Sequence, residues 1–235
     1  MRLAELMSRD FINKTLDQLK ASLRLLVIPY LIVSVALFSV WLISRHYDIL
    51  IDNFFREPAA ILKFNPFLGV MSNLGVLLWT FSAAICLFVA VLLIKKGSRK
   101  IGAYLLYSGL LTFVLLVDDF CLLHEHIFPQ YLNVSEKIFY VAYILAMLFF
   151  FTIFAKIILQ TDYIILLIAC AFLALSIVSD LVLRQTGIAV LIEDGFKLFG
   201  IVTWLIYFSR TCYQQTVILL KQSSQLGAGV ERDYF

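Results

Sequence analysis

Ionisable residues within apolar sequence are the part of this chain best suited to chemistry. Asp118 and Asp119 come at the end of one apolar run, and His124, Glu125 and His126 follow close behind. Carboxylates and imidazoles bind divalent metals and transfer protons. Because a charged group in hydrocarbon is costly, such residues in a membrane span usually serve a function. This segment is therefore the first half of a candidate site.

A second acidic group opens the last apolar segment. Glu193 and Asp194 lie there with Lys197 close behind, and Asp180 comes near the end of the preceding segment. At a rise of about 1.5 Å per residue, Asp118 and Asp180 each lie about 25 Å along their segments. The last segment runs in the opposite direction, so its first turns reach the same level. We therefore predict that the acidic groups meet near one membrane surface.

The composition indicates which class of protein carries this site. Of the 235 residues, 62% are hydrophobic and 15% are charged, and the mean hydropathy is +0.95. Soluble domains are far more polar, so we predict a polytopic membrane protein. The net charge of +3 reflects basic residues near the membrane surface and gives no support for a nucleic-acid partner. The four cysteines fall in different apolar segments, which predicts free thiols.

Six apolar segments are long enough to cross the roughly 30 Å hydrocarbon layer as helices. They are Leu25–Ile43, Leu68–Ile94, Ile101–Leu123, Ile138–Leu159, Tyr163–Leu183 and Ile188–Phe208. The predicted fold class is all-α, a polytopic bundle of six transmembrane helices. We expect an N-terminal amphipathic interfacial helix over residues 1–23, the six-helix domain over 24–212 and a C-terminal cytoplasmic tail over 213–235.

The distribution of basic residues predicts the orientation of the bundle. With six spans, thirteen of the nineteen Lys and Arg residues fall on the side of the N-terminus and five fall on the other side. Cytoplasmic loops are rich in Lys and Arg, so both termini are expected in the cytoplasm and the acidic site is expected to face outward. The first apolar segment is a full-length span without a cleavage site, which predicts no signal peptide.

The candidate site requires either a cation or shared protons. Neighbouring carboxylates cannot all ionise in a low dielectric, so some hold protons or a cation lies among them. The predicted metal or proton site residues are Asp118, Asp119, His124, Glu125, Glu193 and Asp194. The predicted supporting residues are Asp180, Lys197, His126, Cys121 and Asn73. A divalent metal bound by mixed His and carboxylate ligands is expected to be Zn, Fe or Mn. The simplest alternative is hydrogen bonding between helices without any ligand.

Two segments of the chain resemble known patterns. Asp118–Glu125 and Glu193–Gly195 together resemble a pattern in uncharacterised bacterial integral membrane proteins. That resemblance implies a bacterial inner membrane or an equivalent internal membrane. The style of the site is similar to that of alkaline ceramidases and adiponectin receptors, a superfamily of seven-helix hydrolases that hold an intramembrane zinc with three histidines. This chain departs from that superfamily because it has three histidines in all, two of them in one motif.

Four functions are compatible with such a site. The first is an outward-facing carboxylate and histidine site that binds a divalent cation or shares protons, with no activity assigned. The others are a metal-dependent membrane hydrolase acting on a lipid-like substrate, a non-catalytic accessory subunit of a membrane complex, and a proton or cation transporter. The inner half of the predicted spans has almost no ionisable residue, which ranks a conducting path below a one-sided site. The expected partners are the lipid bilayer and other membrane subunits, with no nucleic acid.

Overall fold

In a computed structural model, the described residues are 2–55, 58–65, 67–183 and 187–232. They form α-helices joined by short turns, with no strand among them. The prediction of an all-α fold is therefore confirmed. The chain divides into two compact units, Met1–Leu68 and Gly69–Phe235, and each has its own helices.

The first unit contains one long helix and two short ones, α1 (Arg2–Tyr47), α2 (Asp52–Phe55) and α3 (Pro58–Leu62). The backbone of α1 has no break near residue 23, where the interfacial helix is expected to end. Most side chains before residue 26 lie outside the described part of the chain, so the amphipathic helix stays a prediction. The side chains of residues 26–43 are almost all exposed within the chain, as expected for a helix whose sides contact lipid.

The second unit consists of longer helices and one π-helical turn. They are α4 (Val70–Lys95), α5 (Arg99–Cys121), the π turn (Leu123–Ile127), α6 (Phe128–Leu132), α7 (Glu136–Ile158), α8 (Tyr163–Val182) and α9 (Gly187–Arg232). Gly97 makes the tight turn between α4 and α5 at a φ of +90°, which glycine adopts without strain. Because α9 extends to Arg232, the region expected as a tail is helical over its described residues.

Within the described residues, five helical segments are long and apolar enough to cross a membrane. They are Leu26–Tyr47, Val70–Lys95, Arg99–Cys121, Glu136–Ile158 and Tyr163–Val182. Each overlaps one of the first five predicted spans, and the chain is a membrane-embedded helical protein. α9 is not among the five, and its sequence carries Glu193, Asp194 and Lys197 at one end and Arg210 further along.

The long helices of the second unit pack in the order α5, α4, α9, α8, and α7 lies against α5. The core is aromatic. Trp79 packs edge-on against Trp204 with 5.9 Å between ring centroids, and Tyr104 stacks on Phe150 at 5.5 Å. In the part of the chain that the structure describes, α7 makes no extensive backbone contact with α8. An unfilled space between α7 and α8 therefore adjoins a well-packed core.

Polar contacts tie the turn between α7 and α8 to the neighbouring helices. The hydroxyl of Tyr207 lies 2.8 Å from Oγ1 of Thr161 and 2.5 Å from the hydroxyl of Tyr104. Nε of Arg210 donates a hydrogen bond of 3.0 Å to Oδ2 of Asp162. Buried hydroxyls in hydrocarbon need such partners, so these bonds hold this end of the unit together.

Glycines permit the close approach of neighbouring helices at several positions, of which Gly109 and Gly200 are two. A Cβ atom at Gly109 of α5 would lie 2.8 Å from the side chain of Leu87 in α4, and one at Gly200 of α9 would lie 2.7 Å from that of Leu173 in α8. These distances are shorter than van der Waals contact, so a larger residue forces the helices apart. Gly195, also on α9, has no neighbour within 4 Å of its Cβ position.

Substituting Gly200 and Gly195 of α9 by alanine is expected to change the stability of the protein in opposite directions. Gly200→Ala overpacks the contact with Leu173 and should lower the free energy of unfolding by about 1–3 kcal/mol. Gly195→Ala, the matched control, should raise it by about 0.5–1 kcal/mol because alanine favours the helix. Thermal unfolding of the detergent-solubilised protein measures both. Equal shifts in melting temperature would show that α8 and α9 do not approach closely at Gly200.

Candidate functional site

A left-handed residue ends α5 and shapes the first part of the site. Leu122 has a φ of 51° and a ψ of 43°, an uncommon conformation for a residue with a side chain. The amide groups of His126 and Ile127 both donate to the carbonyl of Leu122, at 2.9 and 3.1 Å, which closes the π turn. The amide of His124 donates to Oδ1 of Asp118 at 3.0 Å. The turn therefore brings His124 back over the end of α5.

Asp118 has contacts from the π turn and from α7. Its Oδ2 accepts a hydrogen bond of 2.5 Å from the hydroxyl of Tyr143 in α7 and lies 2.7 Å from Nδ1 of His124. Asp118 is only 4% exposed, and a carboxylate so deeply buried needs these contacts to offset its desolvation. A proton on this cluster can lie on the carboxyl or on the imidazole, whose ring also packs 5.8 Å from that of Tyr140.

Asp119 is paired with Lys197, and the pair joins α5 to α9. Nζ of Lys197 contacts Oδ1 of Asp119 directly. Lys197, Asp119 and Asp194 also line a second, small pocket of about 30 Å³ on the side of α4, which Gly75 leaves open. The Asp119–Lys197 pair therefore forms part of the wall between this small pocket and the main cavity, and it neutralises one buried carboxylate.

The hydroxyl of Tyr140 lies between two carboxyl groups. It is 2.9 Å from Oδ2 of Asp180 in α8 and 3.0 Å from Oε1 of Glu136, one turn away in α7. A tyrosine hydroxyl has one hydrogen to donate, so it satisfies one of these carboxylates as a donor. The second contact becomes a hydrogen bond when that carboxyl holds a proton and donates it to the tyrosine oxygen. Tyr140 therefore connects a carboxyl group of α7 with one of α8.

A cavity of about 700 Å³ connects these groups and lies between α5, α7, α8 and α9. Its polar end is lined by Asp118, Asp119, His124, Glu136, Tyr140, Tyr143, Asp180, Glu193, Asp194 and Lys197. The rest of the lining is largely apolar and includes Leu111, Leu115, Met147, Phe151, Leu173 and Trp204. This volume falls within the range of small-molecule sites, about 300–1,000 Å³. The cavity is therefore amphipathic, with one acidic end and one apolar end.

The structure brings together most of the residues that the sequence nominates. Five of the six predicted site residues line the cavity, and so do Asp180 and Lys197 of the supporting set. His126 and Asn73 are exposed, Cys121 is half-buried, and these three do not line the cavity. The side chain of Glu125 lies outside the described part of the chain.

The sequence reasoning missed Glu136, Tyr140 and Tyr143. Their spacing of four and three residues places them on one face of α7, which is the signal that could have found them. This signal is easily missed because tyrosines in membrane helices commonly belong to the interfacial belt. A tyrosine one turn from a glutamate inside an apolar span is better interpreted as a hydrogen-bond donor to a buried carboxylate.

A metal site is not shown by this arrangement. Among the residues that the structure describes, no three His, Cys, Asp or Glu side chains converge as a group of metal ligands. Asp118 is engaged by Tyr143 and His124, and Asp119 by Lys197. A divalent cation would have to displace these partners before it reached the carboxylates.

Comparison with known proteins places the chain in one family. The family model described as Domain of unknown function (DUF8692) matches residues 30–211, a range that includes both acidic segments. Because this match covers most of the sequence, the chain belongs to that family. No curated protein and no solved structure matches it.

A double-mutant cycle on Asp119 and Lys197 is expected to show strong coupling. Lys197→Met leaves a buried carboxylate without its cation and should lower the free energy of unfolding by about 1–3 kcal/mol. In Asp119→Asn/Lys197→Met the loss should be smaller than the sum of the two single losses. Thermal unfolding in detergent is the measurement, and Lys156→Met, at an exposed position of α7, is the matched control. Additive losses would contradict a direct pair.

Proposed function

We propose that this member of the family crosses the membrane six times, with both termini in the cytoplasm. The sixth span is the first part of α9. Its side chains Ile201, Trp204 and Phe208 are buried, and α9 packs along α4 and α8, two of the apolar helices. The excess of Lys and Arg on the side of the N-terminus supports the orientation. In that arrangement the acidic end of the cavity faces the outer side.

We propose that the carboxyl groups at this outer end share protons and bind a ligand in the cavity. The observation that carries it is the position of Tyr140 between Glu136 and Asp180, where one hydroxyl hydrogen meets two carboxyl groups. Asp118 and His124 form a second pair that holds one proton between them. Two such pairs beside one cavity can accept or release a proton as a ligand enters or leaves.

The geometry favours protons over the divalent cation that the sequence left open. The carboxyl groups of the described lining are divided among four helices, and Asp118 and Asp119 are already engaged by hydroxyl, imidazole and ammonium groups. Below them, the aromatic core around Trp79 and Trp204 closes the interior, which supports a one-sided site rather than a conducting path.

A hydrolase acting on a lipid-like substrate is the second candidate. Asp118, His124 and Tyr143 form a contiguous acid, imidazole and phenol group at the edge of the cavity. In such an enzyme Asp118, held by the hydrogen bond from Tyr143, would orient His124 as the general base toward water. His124→Gln separates the candidates, because it would abolish turnover of a bound ester or amide while the Tyr140 pair is left intact.

Infrared spectroscopy of the purified protein tests the shared proton. Under proton sharing we expect a carbonyl band from a protonated carboxyl group, because Tyr140 can donate its hydrogen to only one of Glu136 and Asp180. Asp180→Asn and Glu136→Gln should each remove that band, since the remaining carboxylate then accepts the tyrosine hydrogen. Asp162→Asn changes an acid outside the cavity and is the matched control. A wild-type spectrum that neither substitution alters would overturn the proposal.

Cysteine labelling tests the orientation. In a background with the four native cysteines replaced by serine, Lys137→Cys at the start of α7 should react with a membrane-impermeant maleimide in intact cells. Lys156→Cys, near the end of the same helix, should react only after the membrane is opened. Both native side chains are exposed, so access depends on the side of the membrane. The reverse pattern would place the site on the cytoplasmic side.

Metal analysis of the purified wild-type protein tests whether the site holds a metal ion. Under proton sharing we expect less than one equivalent of zinc, iron or manganese, with no difference between the wild type and Asp118→Asn. If the wild type holds one equivalent of metal and both Asp118→Asn and His124→Ala lose it, the site binds a metal ion and proton sharing is contradicted.

A further inference from the structure

The main cavity has the dimensions of a site for a molecule with a polar head and a long tail. Along α7 it extends from Glu136 to Phe151, about 22 Å at the helical rise, and along α8 from Asp180 to Cys170, about 15 Å. All carboxyl groups lie at one end of this length. The other end meets the aromatic core at Trp204. A compact polar ligand would leave most of the apolar part unfilled.

The charge of the polar end favours a cationic head. The described lining includes six carboxyl side chains, against Lys197 and His124 as its basic groups. Even with both basic groups charged, acids outnumber them, so a further anion would add to the repulsion. An ammonium group would instead relieve it, and it carries three hydrogens to donate to carboxylate oxygens.

Part of the cavity wall formed by α7 is exposed within the chain. Ile144 and Leu148 of α7 line it, and both side chains are more than half exposed, at 52% and 55%. Two features connect α7 to α8 at opposite ends of the gap, the turn at Asp162 and the bond from Tyr140 to Asp180. An alkyl chain can therefore pass between the helices without leaving hydrocarbon.

We propose that the cavity binds a long-chain amine from the bilayer, with its ammonium head among the carboxyl groups and its single alkyl tail between α7 and α8. The inference rests on the proposed function, since the amine head takes its place among the same proton-sharing acids. A fatty acid of equal length fits the apolar part but brings a negative charge to an acidic end. A fatty alcohol fits it as well and gains no ionic contact.

Tryptophan fluorescence provides a direct test in the full chain. Trp79 and Trp204 line the cavity, and Trp41 lies in the other unit. In Trp41→Phe, reconstituted in nanodiscs, a decylamine brominated on its tail should quench the two remaining tryptophans. Unlabelled decylamine should displace it at a concentration about tenfold lower than decanol, as expected for one net ionic contact, and decanoic acid should be the weakest competitor.

Substitutions at each end of the cavity distinguish the contribution of the ammonium head to binding from that of the alkyl tail. Asp180→Asn/Glu193→Gln should weaken decylamine binding by about tenfold and leave decanol unchanged. Asp162→Asn, outside the cavity, should leave both unchanged. Ala174→Phe fills the apolar part without adding a tryptophan, whereas the matched Ala171→Phe lies on the same helix outside the cavity. Only the first should abolish quenching by the brominated amine.

A label-free measurement guards against a fluorescence artefact or a variant that fails to fold. Decylamine should raise the melting temperature of the wild-type protein more than decanol or decanoic acid does at equal concentration. Equal effects of the three compounds, or a preference for the acid, would overturn the amine site. The shared proton is tested separately by the infrared band. If the protein prefers decylamine but the infrared band is absent, the amine site is supported and proton sharing is contradicted. If the band is present but the three compounds bind equally, proton sharing is supported and the amine site is contradicted.

Discussion

The burial of Asp118 is the constraint on which the rest of this unit depends. A carboxylate that is 4% exposed inside a membrane protein requires donors, and the structure supplies them from the backbone of the π turn, the ring of His124 and the hydroxyl of Tyr143. Meeting that requirement ends α5 at Leu122 and folds the next residues back. It also fixes one end of α7 against α5, which is the helix that α7 contacts most.

The cavity follows from how α7 is attached. Hydroxyl and carboxyl groups hold it near Asp118 and Asp180, and the turn at Asp162 holds its other end against α9 through Arg210. Between these points no polar group ties α7 to α8 among the described residues, and their apolar side chains face a space of about 700 Å³. Polar attachment at both ends and apolar walls between them produce a site suited to an amphiphile.

Much of the fold could be predicted from local sequence. Apolar length alone identified five segments that the structure shows as long helices, because a helix in lipid satisfies its own backbone and needs no distant partner. The convergence of Asp118, Asp180 and Asp194 on one cavity also followed from helix length and direction. The residues on the π turn were harder, because regular helical angles do not apply past Leu122, and His126 lies exposed there.

By itself, the sequence determined that this is a helical membrane protein and that Asp118 and Asp119 lie within an apolar helix, since hydropathy and charge act within each helix. Only the tertiary structure decided what each acid contacts. Lys197 reaches Asp119 from a distant part of the chain, and Tyr140 reaches Asp180 across a gap between two helices. Such pairs depend on the rotation and separation of packed helices. Those are determined by close contacts such as that between Gly200 and Leu173, which no single helix reveals.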